Sequence, residues 1–318
     1  MRLLFHSNQL CLRGTSVAMF DYATFNESLL HNDSFVTFNS KSPFNDSRGI
    51  AKFQNAFPNK VFAYESIDEL NSICDRLKID CCYMIKGGEN DKILTDRKNL
   101  IHAVFQSYDP HGDIYAYVSE WLSKRMTNGQ KPFVPHIVNL PEPTEMIRRH
   151  LSIPDDAIVF GRYGGADQFD IPFVREAVIE FISTNANCWF LFMNTIPFVN
   201  HPRIIFLDGT SNVQLKANFI ESCDAMIHAR TMGESFGLSI CEFLYGNKPV
   251  FAWNGGNDLH HVDVLKDCDT LYSDKKSLIE LMSNVRSYNQ VNYRNKVDKF
   301  SPKTVMEKFN EVFLKNSL

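Results

Sequence analysis

The stretch AMIHARTMGESFGLSICEFLYG, residues 225–246, decides the fold. Residues 225–227 are an apolar run of strand length, and the polar HARTMGES that follows ends it. Leu238, Cys241, Phe243 and Leu244 then recur at helical spacing until Gly246 stops the pattern. A strand that turns into a helix leaves the amides of the first helical turn free at the positive end of the dipole. Gly237 lets an anion come close to that backbone, so a diphosphate fits at a helix start expected over 235–238. Glu234 stands just before the turn and Glu242 lies further along the helix, eight positions on. Both accept hydroxyl hydrogen bonds, and hydroxyls on either side of a diphosphate describe a nucleotide sugar. The bland alternative makes Glu234 a first-turn acid and Glu242 an exposed helix residue. Glu242, however, sits among Ile240, Cys241, Phe243 and Leu244, where an unpaired carboxylate is costly to bury.

The same strand-and-helix alternation extends outward in both directions. Toward the amino end, short apolar runs at 3–5, 35–38, 61–63, 81–85 and 101–105 alternate with helical periodicity at 17–30 and 67–77. Short buried strands separated by helices imply a parallel sheet covered on both faces. The segment PFVPHIVNLPEP at 132–143 holds four prolines, which fix φ and remove amide donors, and it reads as a linker. After it the pattern restarts. Thr144 is expected to cap a helix to His150, strands are expected at 157–163, 189–193, 204–207 and 249–253, and helices at 171–183 and 212–222. An amphipathic helical tail runs from Lys276. The expectation is two Rossmann-like, doubly wound α/β domains, 1–138 and 139–318, with ligands at the carboxyl ends of their strands across an interdomain cleft.

Composition agrees with this and narrows the function classes. At 318 residues, two domains of roughly 150 residues are expected. A net charge of −4, with basic residues scattered, leaves no footprint for nucleic acid. The eight cysteines fall mostly in apolar runs and lack paired C-x-x-C spacing, so they read as reduced core thiols of a cytoplasmic protein. No run approaches the ~20 apolar residues of a membrane span. In MRLLFHSNQL, Ser7, Asn8 and Gln9 interrupt any signal-type apolar stretch, and the segment reads as a first buried strand.

GESFGLSICEF resembles the E-x7-E motif of retaining GT-B glycosyltransferases, the family-4-like group, and GRYGG at 161–165 resembles the G-R segment of the same group. The likeness covers about 158–253 with matching order, and is looser in the first half, where RGTS at 13–16 takes the place of a Gly-rich donor loop. It implies that Glu234 bonds the donor sugar, Glu242 the ribose, and the amides of Ser235, Phe236, Gly237 and Leu238 the sugar and diphosphate. Arg162, after Gly161, would grip the diphosphate with bidentate charge-assisted bonds. Gly14 and Thr15 would approach the donor. Where the family has a lysine about six residues after that arginine, this chain has Gln168, and Arg13 or Lys86 are candidates to replace the lost charge.

Among histidines, His111 in SYDPHGD and His228 at a strand end are the site candidates, His111 with a catalytic role. His102 reads as core. The adjacent His260 and His261 point differently and have no third ligand, so no metal is expected there. Implied is a metal-independent transfer, without cofactor, of a hexose or pentose from a nucleoside diphosphate sugar to a glycan or other hydroxyl acceptor. Two alternatives stand beside it: a non-catalytic or degenerate GT-B subunit that only binds nucleotide sugar, and a nucleotide-sugar isomerase or hydrolase of the same fold. A dehydrogenase is disfavoured because no G-x-G-x-x-G follows the first strand.

Overall fold

Apolar runs in this chain become parallel strands because both of their faces are covered. The computed structural model describes residues 1–91, 94 and 96–315. The chain divides into two units, one of residues 1–137 with the tail from Phe300, the other of Val138–Lys299. In the first, β1 (Arg2–Ser7), β2 (Asp33–Asn39), β3 (Val61–Tyr64), β4 (Cys81–Lys86), β5 (Lys98–Ala103) and β6 (Ile114–Tyr117) form one six-stranded sheet. Its order is β3-β2-β1-β4-β5-β6, and every pairing is parallel. Helices α1 (Gly14–Ser28), α2 (Ser47–Ala56), α3 (Ile67–Leu77) and α4 (Glu120–Thr127) accompany it. Ser66 and Ser119 start α3 and α4 by accepting from Glu69 and Leu122 amides. Lys78 and Asn128 end them in the left-handed region.

The second unit repeats the plan. It contains β7 (Ile158–Tyr163), β8 (Cys188–Met193), β9 (Ile204–Leu207), β10 (Ala225–His228), β11 (Gly233–Glu234), β12 (Val250–Trp253), β13 (Asp258–Leu259) and β14 (Leu271–Tyr272). Its main sheet runs β14-β12-β10-β7-β8-β9, while β11 and β13 form a separate two-stranded piece. Between them lie α5 (Pro172–Thr184), α6 (Val213–Glu221) and α7 (Leu238–Tyr245). In both sheets the first strand of the unit is flanked by the second and the fourth, so the direction of winding reverses there. Ligands bind outside the carboxyl ends of strands at such a reversal. The two positions are the β1/β4 edge and the β7/β10 edge.

Three expectations change. The tail beyond residue 300 does not belong to the second unit: the helix Pro302–Phe309 and the turn after it bring Phe309 and Phe313 against the first core. Phe309 stacks on Tyr22 with ring centroids 5.2 Å apart, and Phe313 meets Tyr83 at 5.5 Å. Burying two aromatic rings outweighs sequence proximity. The proline segment is not a loose linker, because Val134, His136, Ile137 and Val138 are all buried where one unit gives way to the next. Thr144 caps no helix. Its amide and hydroxyl meet Asn218 instead, and only a 3₁₀ turn forms at Arg149–Leu151. The buried Arg148 satisfies the carbonyls of Ala157 and Ser222 and pairs with Asp224, a tertiary network that replaces helical bonding.

All eight cysteines are free thiols. No helix among the described residues is long and apolar enough to cross a membrane.

Candidate functional site

At the β7/β10 edge, Arg162 and Tyr163 end one strand and His228 ends its neighbour. Arg162 is 4% exposed. Its Nη1 donates to Thr195 Oγ1 at 2.6 Å and the Asn194 carbonyl at 3.2 Å, and Nη2 to the Gly165 carbonyl at 2.8 Å. Burial lowers the guanidinium to about 10 against the pull of Glu234, Asp167 and Asp170, so it remains charged at neutral pH.

Glu234 comes to the same place because β11 pairs with β13, Gly233 facing Asp258. Only glycine suits position 233, where φ is +72° and a Cβ would lie 2.0 Å from the Asp258 carbonyl oxygen. His228 Nε2 meets Glu234 Oε1 at 3.0 Å, and Arg230 Nη1 donates to Oε2 at 2.9 Å. Burial would raise this carboxyl, but the hydrogen bond and charge of His228, with Arg230 and His261 behind it, bring it down to about 2. It is an anion throughout the neutral range.

Helix α7 begins at Leu238, the last position of the expected start. Gly237 is its N-cap at φ +81° and supplies no side-chain acceptor to the first turn. The uncapped amides are therefore those of Leu238, Ser239 and Ile240, while Phe236 is drawn aside. Its ring stacks on His260 at 5.3 Å, and its carbonyl faces His260 Nδ1 at 2.7 Å. Ser235 is half-buried beside Glu234. His261 Nε2 bonds the Trp253 carbonyl at 2.9 Å, so each member of the histidine pair serves the backbone. Among the described residues no cluster of three or more His, Cys, Asp or Glu is placed to hold a metal ion.

Glu242 is neither exposed nor unpaired. It is 3% exposed; Lys216 Nζ on α6 meets Oε1 at 2.7 Å, and the Tyr163 hydroxyl donates to Oε2. Each of its oxygens already carries one bond, as each oxygen of Glu234 does, so a ribose hydroxyl would take a remaining lone pair. Lys216, Tyr163 and Arg230, which contact the two candidate glutamates, were not singled out by the sequence, since no local pattern distinguishes a lysine or tyrosine that will be buried against a distant acid. Gly161 carries a packing constraint of its own. A Cβ there would lie 2.3 Å from Cys223 Sγ and 3.2 Å from Phe243, so its bare backbone is a packing requirement. Gly161→Ala is expected to cost about 1–3 kcal/mol in a denaturant titration, and adding Cys223→Ala should return most of it. No recovery would show that the contact does not set the cost.

In the first unit, Lys86 ends β4 at the other reversal point, and its Nζ lies 3.0 Å from His111 Nε2. His111 Nδ1 faces the Asp109 carbonyl at 2.8 Å, so Nδ1 carries the proton and Nε2 accepts from the ammonium. Asp91 pairs with Lys86 from the following loop. The structure thus joins Lys86 to His111. Arg13, Gly14 and Thr15 are exposed at the start of α1, whose N-cap has no side-chain bond; a Cβ at Gly14 would meet nothing within 4 Å.

No family model matches the sequence, and no curated protein is similar to it in sequence. By fold, the chain is similar to Anabaena HepE in complex with UDP-glucose, with 98% of each chain covered, TM-score 0.72 and 14% identity. It is similar to the lipopolysaccharide outer core galactosyltransferase WaaB over 98% of this chain and 99% of that one, TM-score 0.62, 12% identity. A Listeria monocytogenes structure assigned as a UDP-N-acetylglucosamine 2-epimerase also matches, over 99% and 97%, TM-score 0.64, 11% identity. Two parallel six-stranded sheets of the same order and these likenesses show a GT-B fold of two Rossmann-like units.

Proposed function

We propose that the chain is a retaining glycosyltransferase that moves a sugar from a nucleoside diphosphate sugar to a hydroxyl acceptor. The observation that carries this reading is the convergence, at the β7/β10 edge, of an uncapped helix start, the guanidinium groups of Arg162 and Arg230, and a Glu234 that is ionised at neutral pH. The amides of Leu238, Ser239 and Ile240 with the helix dipole would hold the diphosphate, and arginine would stabilise its charge as the glycosidic bond opens. A carboxyl held near 2 is a poor general acid or base at pH 7 but a good acceptor for sugar hydroxyls, which suits Glu234 to orienting the donor. No protein nucleophile is asked for: the departing diphosphate oxygen takes the acceptor's proton on the face it leaves. In the first unit, Lys86 with His111 behind it offers a charged group to the acceptor. The positive charge supplied by amides and arginine makes a divalent metal unnecessary, so chelation with EDTA is expected to leave turnover unchanged.

Thermal-shift titration against UDP-, GDP- and other nucleotide sugars tests the reading, because a ligand of the folded state raises stability with the logarithm of its concentration. Glu234→Ala is expected to lower turnover about 10- to 100-fold, the worth of a hydrogen bond to a charged group, while binding of the bare nucleotide changes little. Consumption of donor with no acceptor present would favour the isomerase or hydrolase reading. Binding with no turnover on any acceptor would favour a binding subunit.

A further inference from the structure

The diphosphate reading leaves open which side chain carries the cationic contact, and the committed bonds of Arg162 bear on it. Three of its five N–H donors are spent on Thr195, Asn194 and Gly165, bonds that tie β7 to the loops after it and after β8. Arg230 is the less committed guanidinium. Among the described residues its one side-chain hydrogen bond runs from Nη1 to Glu234, and its side chain is 18% exposed, within reach of a ligand. The loop that carries it is fixed in place. The Asp170 amide donates to the Ala229 carbonyl at 3.1 Å, and the Thr231 amide to Asp170 Oδ1 at 2.7 Å. Those bonds lock residues 229–231 against the segment after β7 that includes Gln168. Arg230 and Arg162 also lie close enough for their charges to act on each other, with Glu234 acting on both. Asp167 and Asp170 act on Arg162 but are exposed and screened by solvent.

We infer that Arg230 is the principal side-chain ligand of the donor's diphosphate, and that Arg162 chiefly holds the strand end and its loops in shape. This rests on the nucleotide-sugar reading above. Arg230 keeps one N–H on Glu234, so one residue couples the carboxylate that orients the sugar to the phosphate that leaves. The unused donors match phosphate oxygens in the planar, two-pronged manner a lysine lacks.

Calorimetric titration of the whole chain with UDP, GDP and ADP, and with the matching monophosphates, separates the possibilities. Arg230→Gln is expected to weaken the preferred diphosphate about tenfold or more, and to leave the monophosphate within about twofold. Arg230→Met, which keeps the aliphatic stem, should show the same split and serves if the glutamine variant does not fold. Equal weakening of both nucleotides would mean that Arg230 acts only through the shape of the site, and unchanged diphosphate binding would return the contact to Arg162; either overturns the assignment. A wild-type chain that binds none of the three diphosphates overturns the transferase reading itself, and this inference with it.

Discussion

Glu242→Ala is expected to destabilise the second unit by about 3–5 kcal/mol, whatever it does to ligand binding. The Lys216–Glu242 pair is buried, with side chains 11% and 4% exposed, and removing one partner leaves the other charge in a low-dielectric site with nothing to answer it. The Tyr163 hydroxyl loses its acceptor in the same step. Urea denaturation followed on both units measures the loss. The control is the double variant Glu242→Leu with Lys216→Met, since replacing a buried pair with apolar groups of similar volume is often neutral. It should recover most of the stability. A cost under about 1 kcal/mol for Glu242→Ala would sink the buried-pair account and make the carboxylate a free ligand. This matters for the site, because weakened nucleotide binding by Glu242→Ala is interpretable as lost ribose contact only once the folded fraction is known.

Acid should destabilise each unit through buried imidazoles held neutral, His102 and also His6, which burial lowers to about 4, in the first unit, and His261 with the likewise lowered His260 in the second. In the first unit, burial lowers His102 to about 4, even though the Val134 carbonyl accepts from Nε2 while the Tyr83 hydroxyl donates to Nδ1. In the second, burial and then the neighbouring His228 lower His261 to about 4. Unfolded histidine titrates near 6.5. Above that value both states are neutral and these residues add no pH dependence. Between about 6.5 and 4 the unfolded chain binds a proton that the folded chain refuses, so stability falls as pH falls, by about 1.4 kcal/mol per pH unit per histidine. Unfolding free energies between pH 7.5 and 5, before most carboxylates titrate, should decline below 6.5, and His102→Gln should reduce the slope for the first unit alone, His6 keeping the remainder. A flat profile down to pH 5 would show that these rings are charged in the folded state. Glu234 acts lower: with its carboxyl held down near 2, its contribution is complete above about 4.5 and is lost as pH falls from there toward 2.

Much of the strand-helix order was legible because strand and helix leave different apolar periods. Helix α3 (Ile67–Leu77) and strand β9 (Ile204–Leu207) coincide with the runs read from the sequence. Elements that are weakly apolar or very short escaped, such as α2 (Ser47–Ala56), which buries only Gly49 and Phe53, and the four-residue β6. The 144–150 helix was read from a capping residue alone, and the Asn218 side chain outcompeted it.

By itself, the sequence determined the alternating α/β pattern and the turn at 232–238, because period, glycine placement and helix termination are local properties of the backbone. Only the tertiary structure decided that Lys216 neutralises Glu242, that Arg230 and His228 hold Glu234 ionised, that Gly161 makes room for Cys223, and that the tail returns to the first core. Each of those depends on side chains far apart in the chain meeting out of water. The energy of such meetings is set by burial and partner distance, and neither is written in the order of neighbouring residues.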